Sequence, residues 1–329
     1  QRQMCIRDRF KDGSGRNYTV GYEKLNARRT EWEWLLDRIF EQGKSLSALD
    51  RCIGEEIGEL GKPAFRHRIV LGLPEAIRGQ KDWGEIDGRE MDFSKEEDQI
   101  AATKWYIGEL VERFKAAKYK HLELSGFYWV AEDTHHCEEL TIPLSEYIHS
   151  EGKLFYWIPY WQAKGHEEWK RLGFDVAYQQ PNHFFNHSIP DSRLDEACAT
   201  ARRHGMAMEF EFDEKATAAI PNSSHDRMAA YINHFEKNDV FNSSAVAYYC
   251  GNRGVLTLDE SDNPKDKALM DRLARIIQAR RYLKYGIPMK NKTRVVAHRG
   301  FWHTDGSAQN SIASLLKADQ LGVYGVEFD

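Results

Sequence analysis

The chain contains no apolar run approaching the roughly 20 residues of a helical membrane span. Its charge is also nearly balanced, at −5 over 329 residues with a pI of about 6.3. That excludes a general electrostatic attraction to nucleic acid or to an anionic membrane surface. Five cysteines (Cys5, Cys52, Cys137, Cys198 and Cys250) are scattered without CxxC spacing. Neither a disulfide framework nor a zinc site follows, and the cysteines do not fix a compartment. His135-His136-Cys137 has the residue types of metal ligands, but adjacent side chains diverge, so no metal is expected there. No Met stands at position 1, and Gln1–Arg9 lacks the charged-then-apolar order of a signal peptide. Residues 1–10 are expected to be a non-native tail, similar to translated adaptor read-through in metagenomic assemblies. The chain is accordingly expected to be an internal fragment of a larger gene product.

What is abundant is aromatic. Phe, Trp and Tyr make up 12% of the residues, with nine Trp and fifteen Tyr. They gather in Gly126–Trp129, Leu154–Trp161 and Tyr248-Tyr249. Flat apolar faces with polar tips suit stacking on sugar rings, and equally suit a large aromatic core.

From about residue 22 helical and strand patterns alternate. Amphipathic helices are expected at Glu31–Gln42, Leu46–Glu59, Lys95–Ala117, Leu144–Ser150, Glu167–Leu172, Arg193–His204, Arg227–Lys237 and Asp266–Tyr285. Short apolar strands are expected at His67–Leu73, His121–Gly126, Lys153–Pro159, Asp175–Gln180, Met206–Phe212 and Ser244–Tyr249. Alternating β and α with buried strands implies a parallel sheet covered by helices. No Gly-rich phosphate loop follows any strand, which argues against an open doubly wound sheet. The expected fold class is therefore α/β, a TIM-barrel-like (β/α)8 architecture that has lost its N-terminal strands. The six strands would be the third to the eighth, with part of the second in Tyr18–Gly21.

Gly205–Glu214 is the most informative stretch of this region. Met206, Met208, Phe210 and Phe212 share one side of a strand, so Glu209, Glu211 and Asp213 share the other. In a barrel the apolar side meets helices, which leaves the acidic side to line the lumen, where unpaired carboxylates are costly. Pairing with lumen Arg or Lys, or an edge position, would also explain them. Leu122 and Leu124 likewise place Glu123 and Ser125 towards the lumen, and Glu132 follows that strand on the rim that carries active sites in barrels. Glu132 after the fourth strand and Glu209 or Glu211 on the seventh resembles the large clan of retaining glycosidases. The resemblance implies an acid/base and a nucleophile flanking a glycosidic bond. This chain has Ala131-Glu132 where that clan commonly has Asn-Glu. Trp129, Tyr160 and Trp161 would offer rings to a sugar, and Gln180 and Asn182 would hydrogen-bond its hydroxyls.

Five longer phrases extend the comparison: Leu122–Trp129, Trp157–Tyr160, Gly173–Asp175, Gln180–Asn182 and Glu209–Asp213. Through these, Lys62–Tyr285 resembles a bacterial family, domain of unknown function 4855. That resemblance implies a carbohydrate-related, exported barrel (periplasmic or cell-surface) and supplies no activity.

The last residues carry a different signature. Arg294–Trp302 reads as a strand delivering a His298-Arg299-Gly300 turn, followed by a helix through Leu321 and by Val323–Asp329. Glu327 and Asp329 fall on one side of the final strand, as two ligands of a hard cation would. This resembles the opening of the glycerophosphodiester phosphodiesterase family, a TIM barrel of lipid metabolism. There His-Arg ends the first strand, an Asn opens the next helix and Glu-x-Asp ends the second. Only Asn310 of the family's Pro-Glu-Asn-Thr is matched. The resemblance implies His298 as general acid/base, Arg299 on phosphate, and Glu327 and Asp329 on Ca²⁺ or Mg²⁺. Such a barrel needs about 250 residues, so this stretch would be only its first βαβ.

The expected organisation is a tail at 1–10, a truncated barrel at 11–286, a linker at 287–292 and a truncated phosphodiesterase domain at 293–329. The parent would be a bacterial hydrolase acting on a carbohydrate or a glycerophosphodiester, with no nucleic acid partner. The alternative is a non-catalytic glycan-binding barrel that localises the phosphodiesterase. Sequence gives no oligomeric state.

Overall fold

The computed structural model describes residues 15–20, 25–63, 65–134, 138–251, 253–285, 296–302 and 306–327. Contacts divide the chain into two compact units. One runs to Glu211 and takes in Val246–Tyr249; the other comprises Phe212–Ala245 and the chain from Cys250 onward. The residues expected to form a tail and a linker lie outside the described residues.

In the first unit six strands form one parallel sheet, curled into a half-barrel: β1 (His67–Leu73), β2 (Leu122–Trp129), β3 (Leu154–Trp157), β4 (Val176–Gln179), β5 (Ala207–Phe212) and β6 (Val246–Cys250). Each strand pairs with its neighbour in sequence, in the order β6-β5-β4-β3-β2-β1. A doubly wound sheet reverses its strand order part-way. An unreversed run is an arc of a βα barrel, consistent with a TIM-barrel-like fold. Alternating apolar residues explain why both faces of β5 are buried, since helices and the concave side each cover one.

Helices α1 (Arg29–Phe40) and α2 (Ser45–Leu60) precede the sheet, and α3 (Glu96–Ala117), α4 (Glu138–Ser150) and α5 (Ser192–His204) connect its strands. Between β3 and β4 the expected helix Glu167–Leu172 is instead a 3₁₀ turn, His166–Glu168. Gly165 and Gly173, both at positive φ, bracket that stretch and leave too few residues for a stable helix. Of the remnant strand sought in Tyr18–Gly21, the described residues 18–20 are not a strand, and Gly21 lies outside the described residues. Arg16–Asn17 pairs with Leu25–Asn26 in a separate two-stranded sheet, while the Tyr18 carbonyl accepts from the Glu75 backbone N–H at 2.8 Å.

Strand β2 runs three residues past Gly126, where turn chemistry suggests a stop. The register of β1 against β2 shifts at this point, with Ile69 opposite Leu124 and Val70 opposite Gly126. A Cβ on Gly126 would lie 2.1 Å from the Leu154 carbonyl oxygen and 2.8 Å from the Tyr156 ring. Glycine here marks a bulge and a close backbone approach. Gly126→Ala is therefore expected to destabilise the unit by about 3 kcal/mol, because backbone must move. Urea unfolding with an unchanged midpoint would count against this packing.

Most of the aromatic excess is core. Trp32 lies edge-on to Trp83 (5.2 Å between centroids) and to Tyr106 (5.5 Å), and Trp157 stacks on Phe174 at 4.9 Å.

The second unit contains α6 (His225–Lys237), α7 (Val240–Ser243), α8 (Gly254–Asp259) and α9 (Pro264–Tyr285). The Arg280 guanidinium donates to the carbonyls of Val240, Phe241 and Ser244, satisfying the end of α7. Buried Asp266, in the first turn of α9, accepts from Thr217 Oγ1 (2.5 Å), Ser261 Oγ (2.6 Å) and the Ala218 N–H (2.7 Å). Burial pushes this carboxyl up, but the three donors and nearby His225 outweigh it and hold it below the ordinary value. A depressed folded pKa adds stability above the unfolded value, and that stability is lost as pH falls through the folded one. Asp266→Asn should flatten the acid limb of the stability curve and cost about 1–3 kcal/mol at neutral pH. Urea melts between acid and neutral pH check both effects, and an unaltered acid limb would contradict the assignment.

Candidate active site

Because the strands of the sheet are parallel, their C-terminal ends and the loops that follow share one rim. Glu132 and Glu211 lie there, and Glu209 lies midway along β5. Glu132, three residues past β2, is only 7% exposed, and Glu209 and Glu211 on β5 are 0% and 1% exposed. Period-two alternation puts the last two on one side of the strand.

Hydrogen bonds link the loops between them. The Glu132 carbonyl accepts from the Tyr160 N–H at 3.3 Å, and the Ala131 carbonyl from Trp157 Nε1 at 2.8 Å. Tyr160 Oη donates to Asp133 Oδ2 at 3.2 Å. Burial, then the charges of Asp133 and Glu132, raise the Tyr160 phenol above its ordinary value, so it stays protonated as a donor. The next loop joins on. Gln179 Nε2 reaches the carbonyls of Tyr160 (3.4 Å) and Gln180 (3.2 Å), and Gln180 Nε2 donates to Glu211 Oε1 at 3.2 Å. These contacts fix both amides, because the NH₂ must face the acceptors. The buried Oε1 atoms of Gln179 and Gln180 then have no donor among the described residues. Buried acceptors of this kind call for an explanation, and a hydroxyl-bearing ligand is one.

Asn182, at φ +53°, accepts from the Trp161 N–H through Oδ1 at 2.6 Å. The guanidinium of Arg193 lies 4.8 Å from the centre of the Trp161 ring. Trp161 therefore presents one face already covered by a cation. Trp129 is 2% exposed and packs edge-on to Phe155, a core position away from solvent. His183 is wholly buried, with Nε2 2.8 Å from Asp191 Oδ1.

Residues 17–275 match the family model described as "Domain of unknown function (DUF4855)". The chain belongs to the DUF4855 family. No curated protein matches it. Three solved structures resemble the chain faintly. A proposed α-L-fucosidase from Bacteroides thetaiotaomicron is 15% identical with a TM-score of 0.36, over 55% of this chain and 62% of that one. The carboxyl transferase domain of Rhizobium etli pyruvate carboxylase is 11% identical (TM-score 0.36), over 78% of this chain and 40% of that one. Methylornithine synthase is 11% identical (TM-score 0.34), over 92% and 82%. At such scores neither architecture nor chemistry is transferred, and the barrel-like reading rests on the DUF4855 sheet itself.

Two participants on the DUF4855 rim escape a reading of the sequence, whereas the adjacent amides Gln179 and Gln180 at the end of a strand are already legible there as hydroxyl binders. Asp133 adjoins Glu132, but only the fold brings Tyr160 to it. Arg193 shows no motif at all. The His135-His136-Cys137 cluster lies outside the described residues.

Beyond the DUF4855 match, β7 (Val296–His298) and β8 (Gly325–Glu327) pair in parallel, with His298 opposite Glu327. They are joined by α10 (Ile312–Gln320), which Ser311 and Ser314 cap reciprocally. His298 Nε2 lies 3.6 Å from Glu327 Oε2, and the Arg299 N–H donates to the Glu327 carbonyl at 2.8 Å. Arg299 Nη1 reaches Gln309 Oε1 at 2.9 Å. Gly300, at φ +80°, passes so close to Ser314 that a Cβ would meet its hydroxyl at 2.4 Å. Asp329 lies outside the described residues. Among those described, no group of three or more His, Cys, Asp or Glu is placed to hold a metal, and no helix is long and apolar enough to cross a membrane.

Proposed function

We propose that the DUF4855 domain is an exported retaining glycoside hydrolase, with Glu211 as nucleophile and Glu132 as acid/base. The observation that carries this is the burial of two carboxylates, Glu209 and Glu211, on β5 of a parallel sheet, with the Gln180 amide donating to Glu211. That hydrogen bond favours the ionised form a nucleophile needs. Glu209 on the same side places a like charge nearby, which suits one carboxyl of the set remaining protonated. Glu211 would attack the anomeric carbon while Glu132 protonates the departing oxygen. Water deprotonated by Glu132 would then release the sugar with its configuration retained. Tyr160, Gln179, Gln180 and Asn182 would bind hydroxyls, and Trp161 would offer a ring edge or its free face.

A panel of aryl glycosides incubated with the protein tests this, with anomeric configuration followed by NMR. Hydrolysis with retention is expected. Glycan binding without hydrolysis would point to a localising module instead.

For the C-terminal stretch we propose the opening βαβ of a glycerophosphodiester phosphodiesterase domain. His298, Arg299 and Glu327 meeting at one end of β7 and β8 support it, as do the exposed Ile312, Leu316 and Leu321 of α10 and the turn after it, apolar surface that a larger barrel would cover. A Ca²⁺ or Mg²⁺ site needs about six or more oxygen ligands. Glu327 with His298 does not make that set, so the described residues do not by themselves fit the ion.

A further inference from the structure

We propose that the DUF4855 site takes an anionic sugar, carrying a carboxylate or a sulfate ester, and that Arg193 selects it. This rests on the rim being a carbohydrate site. Arg193 is the second residue of α5, directly after the loop that leaves β4, so it stands on the same rim as the acids. It is half-buried over Trp161, whose backbone is tied to Asn182 and whose neighbour Tyr160 touches Asp133.

Four other cations of the rim loops are paired within the protein. Arg78 faces Glu139 (3.6 Å), Lys81 faces Asp92 (3.5 Å), Lys164 faces Glu138 (3.5 Å), and Arg89 pairs with Asp98. Arg193 differs. Among the described residues its guanidinium has no carboxylate within ion-pair distance, and nearby Asp191 is engaged by His183. A neutral sugar would need no cation here. An anionic one would be repelled by Glu132, Asp133, Glu209 and Glu211 unless a fixed positive charge offset them. A guanidinium lying on an aromatic ring is held in place while its N–H donors remain free for bidentate contact with carboxylate or sulfate. The donorless Oε1 atoms of Gln179 and Gln180 would accept hydroxyls of the same sugar.

Titration calorimetry of the full chain decides the matter, using oligogalacturonides for the carboxylate and chondroitin sulfate oligosaccharides for the sulfate. Neutral xylo- and cello-oligosaccharides serve as counterparts. One acidic class should bind more tightly than the neutral ones, and less tightly as salt rises. Arg193→Gln should collapse that preference on the order of ten- to a hundredfold, and Arg193→Lys only in part. Thermal melting of each variant confirms that it folds. The proposal is overturned if neither acidic class is preferred, if nothing binds, or if Arg193→Gln weakens acidic and neutral sugars equally. Arg193-dependent acidic binding without hydrolysis would sink the hydrolase reading alone. Hydrolysis of neutral glycosides untouched by Arg193→Gln would sink the anionic reading alone.

Discussion

Glu211→Gln is expected to lower kcat/KM for glycoside hydrolysis on the order of 10⁴-fold or more, because the covalent step loses its nucleophile. The side chain is 1% exposed and its partner Gln180 can bond an amide as well as a carboxylate, so the fold should survive. Glu132→Gln should cost about 10²–10⁴-fold on substrates with poor leaving groups. It should cost much less on activated aryl glycosides, whose departing oxygen needs little protonation, and it should remove the basic limb of the pH profile. Gln180→Ala gives the sign of the Gln180 contact. Without that donor the charged nucleophile is less well held, and kcat/KM should fall while the fold is kept. Steady-state kinetics across pH on matched substrates measures all three. Equal losses from Glu132→Gln on good and poor leaving groups would remove Glu132 from the acid role.

In a chain continued into a complete second barrel, glycerophosphodiester hydrolysis with a divalent cation is expected, and His298→Ala should reduce it about 10²–10⁴-fold. His298 is largely exposed beside Glu327, so this loss should come without loss of stability. Release of glycerol phosphate and the free alcohol, measured with Ca²⁺ and with Mg²⁺, checks it. An inactive wild type with either ion would withdraw the phosphodiesterase assignment.

The sheet was legible because short apolar strands alternating with amphipathic segments leave few architectures open. His67–Leu73 matches the observed strand end for end. Local chemistry misled where tertiary contacts overrode it. The strand expected to end at Gly126 runs on to Trp129, and the glycine is there because the Leu154 backbone comes too close for any side chain. The helix expected at Leu144–Ser150 instead begins at Glu138 and keeps Pro143 in its second turn. The period-two pattern put Glu209 and Glu211 together on one side of β5, opposite alternating Met and Phe, and both are buried in the structure. The same periodicity could not assign Trp129 to the core, because a buried ring and a stacking ring look alike in sequence. Nor could it find the Asp133–Tyr160 and Arg193–Trp161 contacts, which join residues brought together only by neighbouring loops.

A β5 carboxylate is proposed to bond covalently to the sugar during glycoside hydrolysis. Incubation with 2-deoxy-2-fluoroglycosyl fluorides, which form the glycosyl-enzyme but release it slowly, followed by peptide mass spectrometry, tests that most directly. One sugar is expected on the peptide that carries Glu209 and Glu211, located at Glu211 and absent from Glu211→Gln. Hydrolytic turnover with the adduct on another residue, or a protein that binds glycans and never forms an adduct, would contradict it.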